Sequence, residues 1–180
     1  MKYSKVIALS AVSAAFAVVL LALGSFIEVI DITCIMFAGI AVMLPLAKEY
    51  YLGAFLSFLA SALLGFIIGG AKVTVIVPYA VFFGVYPIVN ALQVKYKVNK
   101  ILALVVKDIW FLLSMFLYYK LLVWFTGYDL FADFSFIPEN LKKFLVPGLF
   151  VFGALIFVLY DIVMLRMQVA VRYLVEKLKL

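Results

Sequence analysis

Long apolar stretches alternate with short clusters of charged residues along the whole chain. The runs that contain no Asp, Glu, Lys or Arg cover 6–27, 32–47, 50–71, 73–94, 109–119 (within the more apolar stretch 101–125) and 144–160. A helix needs about 20 apolar residues to cross the hydrocarbon of a bilayer. The pattern therefore predicts six membrane spans, the second of them short. The alternation typical of a membrane β-barrel is missing, so we expect an all-α integral membrane protein, a bundle of six transmembrane helices.

The composition narrows the class further. Hydrophobic residues make up 69% of the 180 residues and charged residues 13%, and the mean hydropathy is +1.29. Six spans use most of this length, which leaves no room for a soluble catalytic or nucleotide-binding domain. We expect one six-span membrane domain over residues 1–180. Its last part, about 166–180, is predicted to be a cytoplasmic amphipathic helix that lies on the inner membrane surface or docks on a partner.

The basic residues fall mostly on one side of these spans. With the N-terminus placed inside, ten of the fifteen lie on the cytoplasmic side: Lys2, Lys5, Lys48, Lys95, Lys97, Lys100, Arg166, Arg172, Lys177 and Lys179. Three lie outside, at Lys72, Lys142 and Lys143, and two lie within spans. This asymmetry predicts that both termini face the cytoplasm. The net charge of +6 is then explained by topology and by contact with anionic membrane lipid, and no nucleic acid partner is expected.

Residues that usually carry chemistry are scarce. The chain has no histidine and one cysteine, Cys34, which lies in an apolar span. This predicts no disulfide framework and no metal site, and we expect no cofactor. Asp108 and Asp161 raise the alternative of an intramembrane aspartyl protease, in which two carboxylates share a proton. The Gly-x-Gly-Asp motif of that class is missing, so we expect no enzymatic activity.

Two stripes of small residues mark helix faces that allow close packing. In span three Gly53, Ser57 and Ser61 begin a series that recurs at every fourth residue and continues to Gly69. Span one carries Ala11 and Ala15 in a shorter version. Small side chains let another helix backbone approach closely in lipid. Two interpretations remain open, namely packing within this bundle and an interface with a separate membrane subunit.

Span four and spans five and six carry unusual residues at membrane depth. Pro78 and Pro87 each remove an amide donor, which predicts an interrupted fourth helix. Lys107 and Asp161 lie at similar depths on consecutive antiparallel helices, and an unpaired charge there is costly, so we expect an ion pair between them. A structural role for this pair is favoured over a proton relay. Lys120 lies close enough to the end of its helix to snorkel.

The order of these parts resembles the substrate-binding S component of energy-coupling factor (ECF) vitamin transporters. The resemblance covers about residues 4–92 and rests on the alanine motif of span one and on three further sequence stretches: Ile30-Asp31-Ile32-Thr33-Cys34-Ile35, Leu44-Pro45 with Gly53, and Tyr79-Ala80-Val81-Phe82-Phe83-Gly84. It implies a protein that captures a small molecule from outside and passes it to a complex of a transmembrane coupling subunit and two ATPases. It also implies that the cytoplasmic half of span one meets the coupling subunit.

By the same resemblance we expect a ligand pocket in the outer half of the bundle. The candidate lining combines charged groups with aromatic rings: Glu28, Asp31, Tyr79, Tyr118, Lys120, Trp124 and Tyr128. An aromatic belt at the membrane interface explains Trp124 and Tyr128 about as well as binding does. The main alternative is a structural protein of the cell envelope, an MreD-like scaffold with no transport, which needs no closed polar cavity.

Overall fold

The computed structural model describes residues 2–70, 72–127 and 139–178, and within these ranges every regular element is helical. The elements are α1 (Lys2–Phe26), a 3₁₀ turn (Glu28–Ile30), α2 (Asp31–Ala41), α3 (Met43–Leu46), α4 (Tyr51–Ile68), α5 (Val73–Pro78), a π-helical segment (Tyr79–Phe83), α6 (Tyr86–Lys95), α7 (Lys100–Thr126) and α8 (Glu139–Lys177).

Six helical segments are long and apolar enough to cross a membrane: Ser4–Phe26, Glu28–Leu46, Tyr51–Ile68, Val73–Lys95, Lys100–Phe125 and Pro147–Lys177. Over the described residues, the prediction of an all-helical fold with six helical segments of membrane-spanning length and hydropathy is confirmed. The second segment has 19 residues and the third 18, so the expectation that the second span is the short one is wrong, because the 3₁₀ turn at Glu28–Ile30 extends it. Pro45 lies within α3 at its end. Helices suit a bilayer because they satisfy their backbone amides internally.

The contacts divide the chain into two compact units, where the sequence predicts one domain. Unit 1 comprises Met1–Asn99 together with Val163–Leu180, and unit 2 comprises Lys100–Ile162. Unit 1 therefore holds the first four spans and the end of α8, while unit 2 holds α7 and most of α8. Unit 1 combines two segments that are far apart in sequence. No linker composition in the sequence therefore marks its boundaries.

The core of unit 1 forms around α1, which packs against both α2 and α4, and residues of the fourth span complete it. Its buried cluster includes Ala17, Leu21, Ala38, Val42 and Ala54. Alanine is frequent in this cluster because small side chains bring helix backbones close together, and van der Waals contact replaces the hydrophobic drive that lipid does not supply.

The fourth span is interrupted, as the two prolines predict. After Pro78 the backbone widens into the π-helical turn, where the Gly84 amide donates to the Tyr79 carbonyl at 2.8 Å. Pro87 lacks the amide that would otherwise bond the Phe83 carbonyl. That carbonyl lies against Gly39 of α2, and a Cβ at position 39 would be only 2.6 Å from the oxygen. The break in span four thus allows the backbone of α2 to approach it.

Tight turns connect the helices of unit 1. Gly70 follows α4 with a φ of +66°, a conformation that glycine adopts without steric cost. It ends α4 before the fourth span begins at Val73. Glu49, between α3 and α4, and Lys97, after α6, also have positive φ values, of 57° and 51°.

The C-terminal tail differs in part from its prediction. It continues α8 to Lys177 without a break, whereas we expected a helix on the membrane surface or on a partner. On its apolar face Val171 and Val175 are buried within unit 1. Arg172 pairs with Glu49 at 3.6 Å, which also attaches the tail to unit 1. Leu174 and Leu178 on the same face are exposed, so burial of the valines accounts for only part of the amphipathic pattern.

Candidate functional site

The small-residue stripe of α4 packs against α1 of the same chain. Gly53, Ser57 and Ser61 are buried, so the expectation that they form a subunit interface is corrected. The Ser57 hydroxyl lies 2.8 Å from the Ser10 carbonyl and 2.7 Å from the Gly53 carbonyl. A Cβ at Gly53 would lie 2.3 Å from the Ser10 hydroxyl oxygen. Further along, a Cβ at Gly69 would lie 2.5 Å from the Ser25 hydroxyl oxygen. The stripe is therefore used for internal packing of two parallel helices.

Tyr79, the most informative predicted ligand residue, is also inside the core. Its side chain is 0% exposed, and its hydroxyl lies 2.6 Å from the Ser61 hydroxyl. The Phe58 ring packs against it with centroids 5.8 Å apart. A buried hydroxyl needs a hydrogen-bond partner, and Ser61 supplies it, so the expectation that Tyr79 contacts a ligand is corrected. The sequence signal was a helix break, which serves packing here.

The acidic turn after α1 remains accessible. Glu28 accepts a hydrogen bond from Lys72 Nζ at 3.0 Å, and the same ammonium donates to the Ser25 carbonyl at 3.3 Å. The Glu28 side chain is nonetheless 83% exposed. Asp31 begins α2, and its carboxylate accepts from the Ile32 amide, a favourable place for a negative charge at a helix N-terminus. These two predicted ligand residues lie near each other in unit 1.

The other predicted ligand residues belong to unit 2. Trp124 is 76% exposed and meets the Phe125 ring edge-on, while Tyr118 is half-buried. Lys120 is exposed, and its Nζ lies 5.6 Å from the centroid of the Phe116 ring. Tyr128 lies outside the described residues. The structure therefore places the predicted set on two separate units.

Lys107 and Asp161 form an ion pair between α7 and α8, where the sequence predicts one. Both side chains are buried. One helical turn away from this pair, Phe111 of α7 stacks on Phe157 of α8 with ring centroids 5.3 Å apart. The ion pair and the ring stack fix the antiparallel register of the two helices in unit 2.

Beyond these rings an apolar groove lies between α7 and α8. Its volume is about 480 Å³. The lining side chains come from one face of α7 and one face of α8: Phe111, Leu112, Met115, Phe116, Tyr119, Leu149, Phe150, Phe152 and Gly153. Sequence reasoning missed this groove, because its residues are ordinary apolar residues of a span. Gly153 in α8 was the available signal.

The small residues of α1 differ from those of α4. Ala11 and Ala15 are both exposed, while Ser13 on the other side of the helix is buried and donates to the Ala41 carbonyl at 2.7 Å. One face of α1 thus builds the core of unit 1, and the face with the two alanines remains on its surface.

Comparison with known proteins adds no relative: no family model, no curated protein and no solved structure matches this chain. Function must therefore be argued from the geometry described above.

Proposed function

We propose that the protein is the membrane substrate-binding (S) subunit of an ECF-type ATP-driven importer. In this role it resides in the cell membrane as a multi-pass protein with both termini cytoplasmic. It captures a small vitamin-like molecule from outside, and a transmembrane coupling subunit with two ATPase subunits drives the transport. The chain itself hydrolyses nothing.

The observation that carries the proposal is the exposed alanine face of α1. Ala11 and Ala15 lie one turn apart on the surface, whereas the small-residue stripe of α4 is buried by packing within the chain. Methyl-sized side chains allow a partner helix to approach to backbone contact. An interface with a coupling subunit needs such a face on the first helix.

The accessible polar groups define where a ligand is sought. Glu28 and Asp31 remain at the acidic turn of unit 1, and Lys120 and Trp124 are exposed in unit 2. Because Tyr79 is buried, we expect the charges of these groups to contribute more to ligand binding than their aromatic rings do. Both signs of charge are present, so the ligand's own charge is left to experiment.

Co-purification with the transmembrane coupling subunit and the two ATPase subunits tests the proposed partner interface. Replacing Ala11 and Ala15 together by Trp should abolish complex formation, because two indole rings prevent close helix approach. The matched control is Phe16→Trp, an exposed aromatic position on the same helix, roughly 100° around from Ala15. It should leave the complex intact. If the double Ala→Trp variant and the control recover the complex equally, α1 does not form the proposed interface.

A thermal-shift screen of vitamins and related heterocycles tests ligand capture. A ligand that binds only the native state raises the melting temperature, by an amount that corresponds to about 2.7 kcal/mol at 100 times its Kd. Any hit is then repeated on Asp31→Asn and Glu28→Gln, where a loss of the shift would assign the acidic turn to the ligand. A control substitution at exposed Lys48 should leave the shift unchanged.

A structural protein of the cell envelope is the second candidate. The observation in its favour is the filled interior around Tyr79, whose hydroxyl is already bonded to Ser61. A scaffold needs packed helices and no ligand cavity. It predicts no hit in the thermal-shift screen, normal uptake of vitamins in a deletion strain, and altered cell shape in that strain.

A further inference from the structure

The apolar groove of unit 2 is large enough to hold a ligand. Its volume of about 480 Å³ falls within the range of about 300–1,000 Å³ that is usual for small-molecule sites. Phe116, Leu149 and Phe150 are between 40% and 49% exposed. The groove therefore opens on the surface of the helix pair instead of being sealed inside it.

A missing side chain in α8 helps to create the groove. Gly153 faces α7, and a Cβ at this position would lie 3.4 Å from Leu112 Cδ2 and 3.9 Å from Phe111 Cε1, which is ordinary van der Waals contact. A methyl group would thus fit, but a larger side chain would extend into the space. Glycine in a helix interior costs stability relative to alanine, so this position keeps the groove open at some cost.

A positive charge stands beside this apolar space. Lys120 Nζ lies 5.6 Å from the centroid of Phe116, and Phe116 is part of the groove lining. A cation at this distance is attracted by the face of the ring, which holds the ammonium near the groove. Apart from Tyr119, the lining side chains are apolar. The complementary ligand is an amphiphile with a flexible hydrocarbon tail and a negatively charged head.

We propose that this groove binds an acyl chain of an anionic phospholipid, whose phosphate is held by Lys120. Phospholipid is the amphiphile that surrounds membrane-length helices at the highest concentration. A lysine near the membrane surface attracts anionic headgroups, and the apolar lining provides for the tail. The proposal uses unit 2 alone, and it shares Lys120 with the groups among which the transported ligand is sought.

Native mass spectrometry of the full-length protein tests this site. The protein is reconstituted with an equal mixture of phosphatidylglycerol and phosphatidylcholine, released from the bilayer, and the retained lipids are counted. The wild type should retain phosphatidylglycerol over phosphatidylcholine by about fivefold, the ratio expected from about 1 kcal/mol for one lysine. Lys120→Gln should bring this ratio close to one while lipid is still retained.

Substitutions that fill the groove distinguish the contribution of the lipid's acyl chain from that of its headgroup. Gly153→Phe should reduce retention of both lipids severalfold, whereas Gly153→Ala should retain them as the wild type does. Leu149→Trp is a second blocking variant, should the phenylalanine prevent folding. Lys48→Gln controls for net charge, because Lys48 is exposed and belongs to unit 1. Helical content and gel-filtration profile verify the fold of each variant.

Four results would overturn the proposal. The first is equal retention of the two lipids by the wild type. The second is a lipid preference that Lys120→Gln leaves unchanged. The third is lipid retention that neither blocking variant reduces. The fourth is a lipid-free dimer that Gly153→Phe dissociates, which would show that a second copy of the chain occupies the groove.

Discussion

At the scale of single residues, Lys107 and Asp161 are the two charges whose partners can be inferred from depth alone. Each is costly to bury by itself, and their positions on consecutive antiparallel helices match. The structure brings them together and buries both. Tyr79 shows the opposite case. A tyrosine beside a helix break indicates a polar site, but its sequence neighbours do not reveal that Ser61 lies within 2.6 Å of the hydroxyl.

The ion pair leads to a prediction about coupling. Lys107→Met or Asp161→Leu alone leaves one buried charge uncompensated, and each should lower the free energy of unfolding by about 3–5 kcal/mol. The double variant should lose much less, because two apolar side chains replace a pair with a large desolvation cost. Reversible unfolding in detergent micelles measures all four proteins. Additive losses in the double variant would show that the two charges act independently.

At the scale of helices, pattern reasoning predicted the existence of the spans and the break in span four. It did not predict which helix each small residue meets. The sequence pattern of the stripe from Gly53 to Gly69 is the same whether the stripe packs against α1 or against another subunit. Only the three-dimensional pairing of Gly53 with Ser10, and of Gly69 with Ser25, decides between them. For the same reason the α7–α8 groove was not foreseen, since it depends on which side chains of two separate helices meet.

The close approach of α2 to the broken span gives a prediction at this scale. Gly39→Ala places a methyl 2.6 Å from the Phe83 carbonyl oxygen. A backbone atom cannot rotate away as a side chain does, so the two elements must separate. We expect a loss of about 1–3 kcal/mol in unfolding free energy, as for other overpacked sites.

The matched control for that substitution is Gly148→Ala in α8. No atom lies within 4 Å of a Cβ at position 148, and alanine is the better helix former by about 1 kcal/mol. This variant should be neutral or slightly more stable than the wild type in the same detergent unfolding experiment. If both alanine variants behave alike, the contact between Gly39 and Phe83 contributes nothing measurable.

At the scale of the whole molecule, the sequence supplies a topology through its charges, because basic residues prefer the cytoplasmic side. The division into two units was not predictable, since unit 1 recruits Val163–Leu180 from the far end of the chain. Periodicity describes each helix separately, whereas this division depends on the contacts of α8 along its length. The candidate ligand residues consequently fall on two units, although they were chosen as one set.

Topology itself can be tested with single cysteines, because the chain has only one of its own. Cys34 is buried, and Cys34→Ala supplies a cysteine-free background. Val29→Cys lies in the acidic turn and is a good reporter, since Val29 is 95% exposed. Val98→Cys lies between α6 and α7, where the basic residues cluster, and Val98 is 41% exposed. If the charge asymmetry sets the orientation, a membrane-impermeant maleimide added to intact cells should label position 29. It should reach position 98 only after the membrane is permeabilised. Labelling of both positions from the same side would contradict the arrangement with both termini cytoplasmic. With labelling reversed between the two positions, the acidic turn would face the cytoplasm and would have no access to a ligand from outside.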